Sequence, residues 1–316
     1  MGVLAHRVAA EVTVGAWTRN EIGGRVHPGF LFSRQHATIS GVFHMAIVAV
    51  STSLDDLRSQ DMRFLDEASK LGELHVRLWS DSAVQAVTGK PPKFPQDERL
   101  YFAEAIKFVS CVAIVDLPDG PDALPAVEGS APKIWAVNQA SDTPAKKQFC
   151  QSHHIDYRVI SDAQLQGFPD AVGIAAPAPG RKKALVTGCY DWVHTGHVRF
   201  FEEVSEHGDV YAVVGHDKNI EFLKGPGHPQ FPQQLRRYMV DSIKYVRQGL
   251  IASGDGWLDA EPEIRRIKPD IYAVNEDGDK PEKREYCEKN GIQYLVLKRL
   301  PKPGLPRRMS TDLRGF

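Results

Sequence analysis

The chain repeats itself. The stretch Arg58-Ser59-Gln60-Asp61-Met62-Arg63-Phe64-Leu65-Asp66-Glu67 aligns without a gap to His194-Thr195-Gly196-His197-Val198-Arg199-Phe200-Phe201-Glu202-Glu203. At the same offset Asp55 falls on Asp191, Gly72 on Gly208 and Asp81 on Asp217. One residue is then gained. The shifted alignment sets Phe94-Pro95 on Phe231-Pro232, Arg99 on Arg236, Ala105-Ile106-Lys107-Phe108-Val109 on Ser242-Ile243-Lys244-Tyr245-Val246, and Cys150 on Cys287. Trp135-Ala136-Val137-Asn138 likewise falls on Tyr272-Ala273-Val274-Asn275. A single gain over so long a run is not chance similarity. Solenoids repeat every 20–50 residues or so, and this period is far longer. The chain is therefore a tandem duplication of one whole domain, and its 316 residues suffice for two domains with separate cores.

Between the copies, the run from Gly167 to Gly180 is dominated by Pro, Gly and Ala, the composition of a linker. The organisation expected is an extension over 1–44, a first domain over 45–165, a linker over 166–180 and a second domain over 181–316. The extension holds Arg7, Arg19, Arg25 and Arg34 with few acids, as targeting peptides do. Glu11, Glu21 and the lack of an amphipathic face favour a poorly ordered extension instead. A net charge of −1, from 39 basic and 40 acidic residues, leaves no electrostatic footprint for nucleic acid or an anionic membrane. No apolar run approaches the roughly 20 residues that a membrane span requires. The four cysteines Cys111, Cys150, Cys189 and Cys287 form no CxxC pair. Reduced thiols in the cytoplasm are expected rather than a disulfide framework or structural zinc.

Each copy alternates short apolar runs with helical patterns. In the second, Lys183–Thr187 reads as a strand ending at Gly188, and Val198, Phe201 and Val204 recur at helical spacing between His197 and Glu206. Val210–Val214, Ile271–Val274 and Tyr294–Leu297 read as further strands, and Leu235–Val246 as a helix. Strands alternating with helices imply a parallel sheet covered on both faces. The fold class expected is α/β, with two tandem Rossmann-like, doubly wound parallel-sheet domains. Ligands of such sheets sit beyond the carboxyl ends of the strands, where strand order switches. The first strand-to-helix turn of the second copy is thus where chemistry is expected.

That turn reads Gly188-Cys189-Tyr190-Asp191-Trp192-Val193-His194-Thr195-Gly196-His197. Backbone N–H groups at a helix start attract phosphate. Gly196 would let a triphosphate approach the backbone closely. Two histidines flanking a small Thr-Gly step could face the same site, donate to phosphoryl oxygens and carry positive charge as charge builds. As a zinc pair they lack a third ligand nearby.

In these features the sequence resembles the HxGH nucleotidylyltransferase superfamily. It is most similar to the cytidylyltransferases acting on phosphoethanolamine, phosphocholine and glycerol 3-phosphate. The phosphoethanolamine enzymes carry two such domains in one chain. The nucleotidylyl domain of the ADP-heptose synthesis enzyme is another relative. The resemblance spans nearly all of 183–316 and, weakened, 45–160. It is carried by the Gly188–His197 segment, Lys224-Gly225, Arg236 and Ser310-Thr311-Asp312-Leu313, in the family's order. It implies a catalytic set of His194, His197 and Lys224. The implied nucleotide-binding set is Gly188, Cys189, Tyr190, Asp191, Gly196, Arg236, Asn275, Asp277, Arg299, Arg308, Ser310 and Thr311. Asn275-Glu276-Asp277 stands where relatives often have Gly-Asp-Asp, near the base. The terminal segment is longer and more basic than in relatives, so Arg299, Arg307 and Arg308 compete for one family role. No metal ligand is assigned to the protein, and Mg²⁺ is expected to arrive with the triphosphate.

The implied activity is transfer of CMP from CTP to a phosphorylated small alcohol, with pyrophosphate released. ATP-dependent transfer to give an ADP-linked product is the first alternative, and a nucleotide-sensing pseudoenzyme the second. The bland readings are solvated charges at Lys224 and Arg236, and a simple N-cap at Ser310-Thr311. In the first copy Arg58-Ser59-Gln60-Asp61 replaces the histidine motif and Thr52 replaces its first glycine. Asp61 would put negative charge where a phosphate should bind. The first domain is expected to be inactive and to pair with the second as an internal pseudo-dimer, with a homodimer of whole chains as a further option.

Overall fold

The computed structural model describes residues 45–170, 172–310 and Leu313. The expectations for 1–44 and for Thr311 lie outside these residues.

The first domain runs β1 (Ile47–Thr52), α1 (Ser59–Ser69), β2 (Glu73–Trp79), α2 (Asp81–Thr88), α3 (Gln96–Glu104), β3 (Cys111–Val115), β4 (Ile134–Asn138), α4 (Pro144–Ser152) and β5 (Asp156–Ile160). The second runs β6 (Lys183–Gly188), α5 (Thr195–Ser205), β7 (Asp209–Val214), α6 (Asp217–Lys224), α7 (Gln233–Asp241), β8 (Val246–Ile251), α8 (Glu261–Ile267), β9 (Ile271–Asn275), α9 (Pro281–Lys289) and β10 (Gln293–Leu297). Each domain holds a five-stranded, all-parallel sheet, ordered β3-β2-β1-β4-β5 and β8-β7-β6-β9-β10. The fold is the pair of Rossmann-like α/β domains that the repeat predicts. Even the register is duplicated: Ile47 faces Glu73 as Lys183 faces Asp209. The central strands are apolar on both sides because helices cover both faces. Strand order reverses between β6 and β9, which places the crevice at their carboxyl ends.

The copies part after the third strand. The second makes α8 there, whereas the first runs as a loop containing Pro118, Pro121, Pro125 and Pro132. Four prolines remove four backbone donors and leave no helix-length interval between them.

A pseudo-twofold axis relates the domains. Ile106 forms an isolated antiparallel bridge with its own repeat equivalent, Ile243. The bond Lys107 N–H to Ser242 C=O (2.9 Å) has the reciprocal Lys244 N–H to Ala105 C=O (2.8 Å). The Tyr101 hydroxyl donates to Glu202 across the interface at 2.7 Å, and its equivalent Tyr238 donates to Asp66 at 3.0 Å. This is the self-complementary geometry of an isologous dimer, built within one chain. Tyr101 and Ala105 are buried in the core of the second domain, and Tyr238 and Met239 in that of the first.

One expectation is corrected. The predicted helix over Leu235–Val246 ends at Asp241, because Ser242 to Lys244 leave it for the interdomain bridge and Val246 opens β8. The linker is anchored along its length. Phe168 packs on Tyr238, Gln248 accepts from the Ala175 N–H at 2.7 Å, and Asp209 accepts from the Ala178 N–H at 2.6 Å.

Candidate active site

At the carboxyl ends of β6 and β9 lies a cleft of about 300 Å³. Its floor is the turn after β6. Tyr190 takes a left-handed φ of 51°, which folds its ring back over Gly188; a Cβ on Gly188 would lie 2.9 Å from that ring. Only glycine fits there. The ring then packs edge-on to His197 at 5.3 Å and against Phe201 at 5.4 Å.

The two histidines close the start of α5 as a reciprocal cap. Nδ1 of His194 accepts the Gly196 N–H at 3.1 Å, and Nδ1 of His197 accepts the His194 N–H at 3.4 Å. The accepting Nδ1 atoms must be unprotonated, so each neutral ring carries its proton on Nε2. Burial pushes the His194 imidazole far below its usual range, helped by His197, Arg299 and Arg308. Burial also lowers His197 to about 3, with Arg299 and Lys224 adding to the effect. Both rings are therefore neutral N–H donors at neutral pH. The positive charge expected of them resides instead on the neighbouring Lys224, Lys283 and Arg299, which line the cleft.

Thr187, Cys189, Asp191, Asn275, Asp277 and Ser310 complete the wall. Ser310 Oγ sits 3.3 Å from Nε2 of His194. Arg299 is paired with Asp277, and its Nε is buried with no partner. Asn275 Oδ1 is likewise buried and unpaired. In the first copy the equivalent Asn138 Oδ1 is consumed, accepting the Ser141 N–H at 2.9 Å. An acceptor left open only in the intact copy marks a place for a ligand donor. Lys283 was not singled out from sequence because the residues around it are polar and aperiodic; it stands in the first turn of α9. In the structure burial lowers its pKa, and its ammonium lies 5.8 Å from the Tyr272 ring.

Three of the expected residues have partners within the protein. Gly196 lies against the His194 ring and the Arg308 carbonyl, at 2.9 and 3.1 Å from where a Cβ would stand. Arg308 turns its guanidinium away to Glu98 of the first domain, at 2.8 Å. Arg236 lines no part of the cleft. It is fully buried and donates to the carbonyls of Phe231, Cys189 and Gly215 and to Asp217.

The first copy acts as an internal control for these assignments. Arg99 donates to the carbonyls of Phe94, Ser53 and Trp79 and to Asp81, the repeat equivalents of the four partners of Arg236. Asp55 accepts the N–H groups of Lys93 and Phe94, as Asp191 accepts those of Gln230 and Phe231. Both side chains persist where the histidines are gone, so their work is to clamp loops. Asp61 replaces His197 as a cap, its carboxylate accepting the Arg58 N–H at 2.8 Å. A carboxylate caps a helix but cannot donate to phosphate.

Arg236→Met and Arg99→Met should therefore each lower the unfolding free energy by about 3 kcal/mol, since each strands several buried acceptors. Chemical denaturation checks this. A neutral Arg99→Met beside a destabilising Arg236→Met would contradict the shared clamp.

Residues 185–300 match the family model described as cytidylyltransferase-like. An FAD synthase of Aciduliprofundum boonei is 34% identical over 136 residues, which is 42% of this chain and 84% of that protein. An FAD synthase of Ferroglobus placidus is 34% identical over 120 residues, 37% of this chain and 75% of that one. The bifunctional protein HldE of Alcanivorax borkumensis is 34% identical over 144 residues, 44% of this chain and 28% of that protein. Each match is the length of one of the two domains.

Proposed function

The chain belongs to the cytidylyltransferase-like family of nucleotidyltransferases, and from that premise we propose that the second domain moves a nucleotidyl group from a nucleoside triphosphate to a phosphate-bearing acceptor. An acceptor phosphate oxygen attacks the α-phosphorus. The bond from that phosphorus to the α–β bridging oxygen breaks, and pyrophosphate leaves with the oxygen and its charge. Such transfers ask mainly for positioning and for donors aimed at developing charge.

The observation that carries this reading is the locked pair of neutral imidazoles. Their Nδ1 atoms are held by the helix start; His197 lines the cleft beside Lys224, Lys283 and Arg299 with its Nε2–H left as a donor, while His194 stands behind it and meets Ser310 through its own Nε2. Ser310 supplies a hydroxyl beside His194. Lys224, Lys283 and Arg299 would neutralise the triphosphate. Asn275 Oδ1 and the Arg299 Nε–H are free to meet the nucleoside or its phosphates. Mg²⁺ fits this site as an ion held mainly by substrate oxygens. The cleft carboxylates Asp191 and Asp277 are already engaged, and no group of three His, Cys, Asp or Glu among the described residues could hold a metal.

The first domain is proposed to be catalytically silent. Its Arg58 and Asp61 replace both histidines, and Asn138 Oδ1 is already engaged by the Ser141 N–H. A cytoplasmic setting belongs to the same proposal, because nucleoside triphosphates are held there and the Cys189 thiol lines the cleft.

Two nucleotides divide the finer reading. CTP follows from the likeness to the cytidylyltransferases. ATP is supported by the relatives that carry the name FAD synthase, and we rank it first on that ground. Pyrophosphate release from each of the four nucleoside triphosphates, tested with alcohol phosphates, sugar phosphates and a phosphorylated flavin, separates the readings. Turnover with ATP alone is expected; turnover with CTP alone restores the cytidylyl reading. Tight binding without release, across the whole panel, would sink the enzyme and leave a nucleotide sensor.

A further inference from the structure

Beside the histidine turn the interdomain contacts depart from the pseudo-twofold axis. There the first domain places Glu98, on α3, against Thr195 and Arg308 of the second. The Thr195 hydroxyl donates to Oε1 at 2.9 Å, and Arg308 donates through Nε at 3.0 and 3.2 Å and through Nη2 at 2.8 Å. Glu98 is 2% exposed and Thr195 6%. The repeat equivalents are Leu235 and Ser59, a pair with no such bond to make. Leu235 instead packs on the core of the first domain.

We propose that Glu98 is a positioning residue for the transfer site, so that the silent domain completes the active one. The inference rests on the function proposed above. One carboxylate ties together two parts of the site that arrive from distant sequence. Thr195 is the residue between His194 and Gly196, so the bond fixes the cap on which both imidazole tautomers depend. Arg308 belongs to the terminal segment, whose carbonyl presses on Gly196 and whose Ser310 hydroxyl reaches Nε2 of His194. Phe94, also from the first domain, stacks under the Arg308 guanidinium at 5.4 Å.

A buried carboxylate is costly unless paired and hydrogen-bonded. Here that cost falls at an interface position that hydrogen-bonds the start of α5. A leucine, as at 235, would serve packing alone. A neutral amide would keep the Thr195 bond but weaken the two-pronged hold on Arg308, because charge-assisted bonds are about twice as strong as neutral ones.

The test uses the full chain carrying Glu98→Gln, Arg308→Gln and both together, with Tyr238→Phe as a control on the other side of the axis. Hydrogen exchange of peptides covering 194–199 and 305–310 is read alongside thermal unfolding and kcat and KM for pyrophosphate release. Glu98→Gln should speed exchange in both peptides by about tenfold or more. It should lower kcat by a similar factor with the unfolding midpoint little changed. The double variant should lose no more than the worse single one, because the two residues act as a unit. Tyr238→Phe should lower the midpoint and leave kcat alone. Unchanged exchange at 305–310 in Glu98→Gln would overturn the clamp. Faster exchange with unchanged kcat would overturn its role in transfer. A wild-type chain inactive on every triphosphate would sink the proposed function, while the exchange data would still decide whether Glu98 orders the site.

Discussion

Replacing His194 by Ala in the full chain is expected to cut turnover by about 10²–10³-fold, the usual effect of deleting one donor aimed at transition-state charge. The same change also removes a helix cap, worth about 1 kcal/mol, since Nδ1 of His194 accepts the Gly196 N–H. His194→Asn separates the two effects. Asparagine is among the best N-caps, so stability should return towards wild type while turnover stays low. Steady-state pyrophosphate release and denaturant unfolding on the three proteins check this. Activity regained with the cap would mean that the ring matters only for shaping the helix start.

His197 adds a pH signature. An imidazole in the unfolded chain titrates near 6.5, whereas in the fold burial and the neighbouring cations lower it to about 3. Below about pH 6.5 the unfolded state therefore binds a proton that the native state refuses. The stability this confers is fully present above that pH and is lost as pH falls towards 3. His194 shifts in the same direction. His197→Gln should accordingly flatten the acid side of the stability curve, seen as a shallower fall in unfolding midpoint between those limits.

Much of this molecule is legible in the sequence because it is written twice. The repeat predicts two sheets, and strands such as Val210–Val214 and Ile271–Val274 stand out by continuous apolar character. The histidine turn is visible as a strand, a glycine and a helix start in succession. What sequence does not reveal is which conserved-looking side chain faces the ligand. Arg236 and Asp191 carry the charges a phosphate site would use, yet both are spent on loop backbone. Their partners are carbonyls and N–H groups, which have no sequence signature. Glu98 is hidden for the opposite reason. Its partners lie in the other copy, and nothing in the linear spacing relates α3 to the Arg308 segment.

Cutting the chain in the linker should be the most damaging change of all. A fragment spanning 181–316 would expose Val193, Leu235, Tyr238, Met239 and Ile243, which now pack against the first domain or at the axis. At about 1.5–3 kcal/mol for each large apolar side chain taken from water, the loss is on the order of 10 kcal/mol. That equals the whole stability of an ordinary domain. No folded monomer is expected. The exposed face is self-complementary, however, because Ile243 already meets its own equivalent across the axis. The fragment can therefore fold as a homodimer in which a second copy of Leu235 takes the place of Glu98. Such a dimer would keep the histidine cap and the cleft but lose the carboxylate that holds Thr195 and Arg308. It should bind a triphosphate and turn over at least tenfold more slowly than the full chain. Sedimentation gives the state of association and pyrophosphate release the rate. A soluble monomeric fragment with full activity would show that the first domain supports neither the fold nor the site. A fully active dimer would spare the packing argument and remove Glu98 from the chemistry.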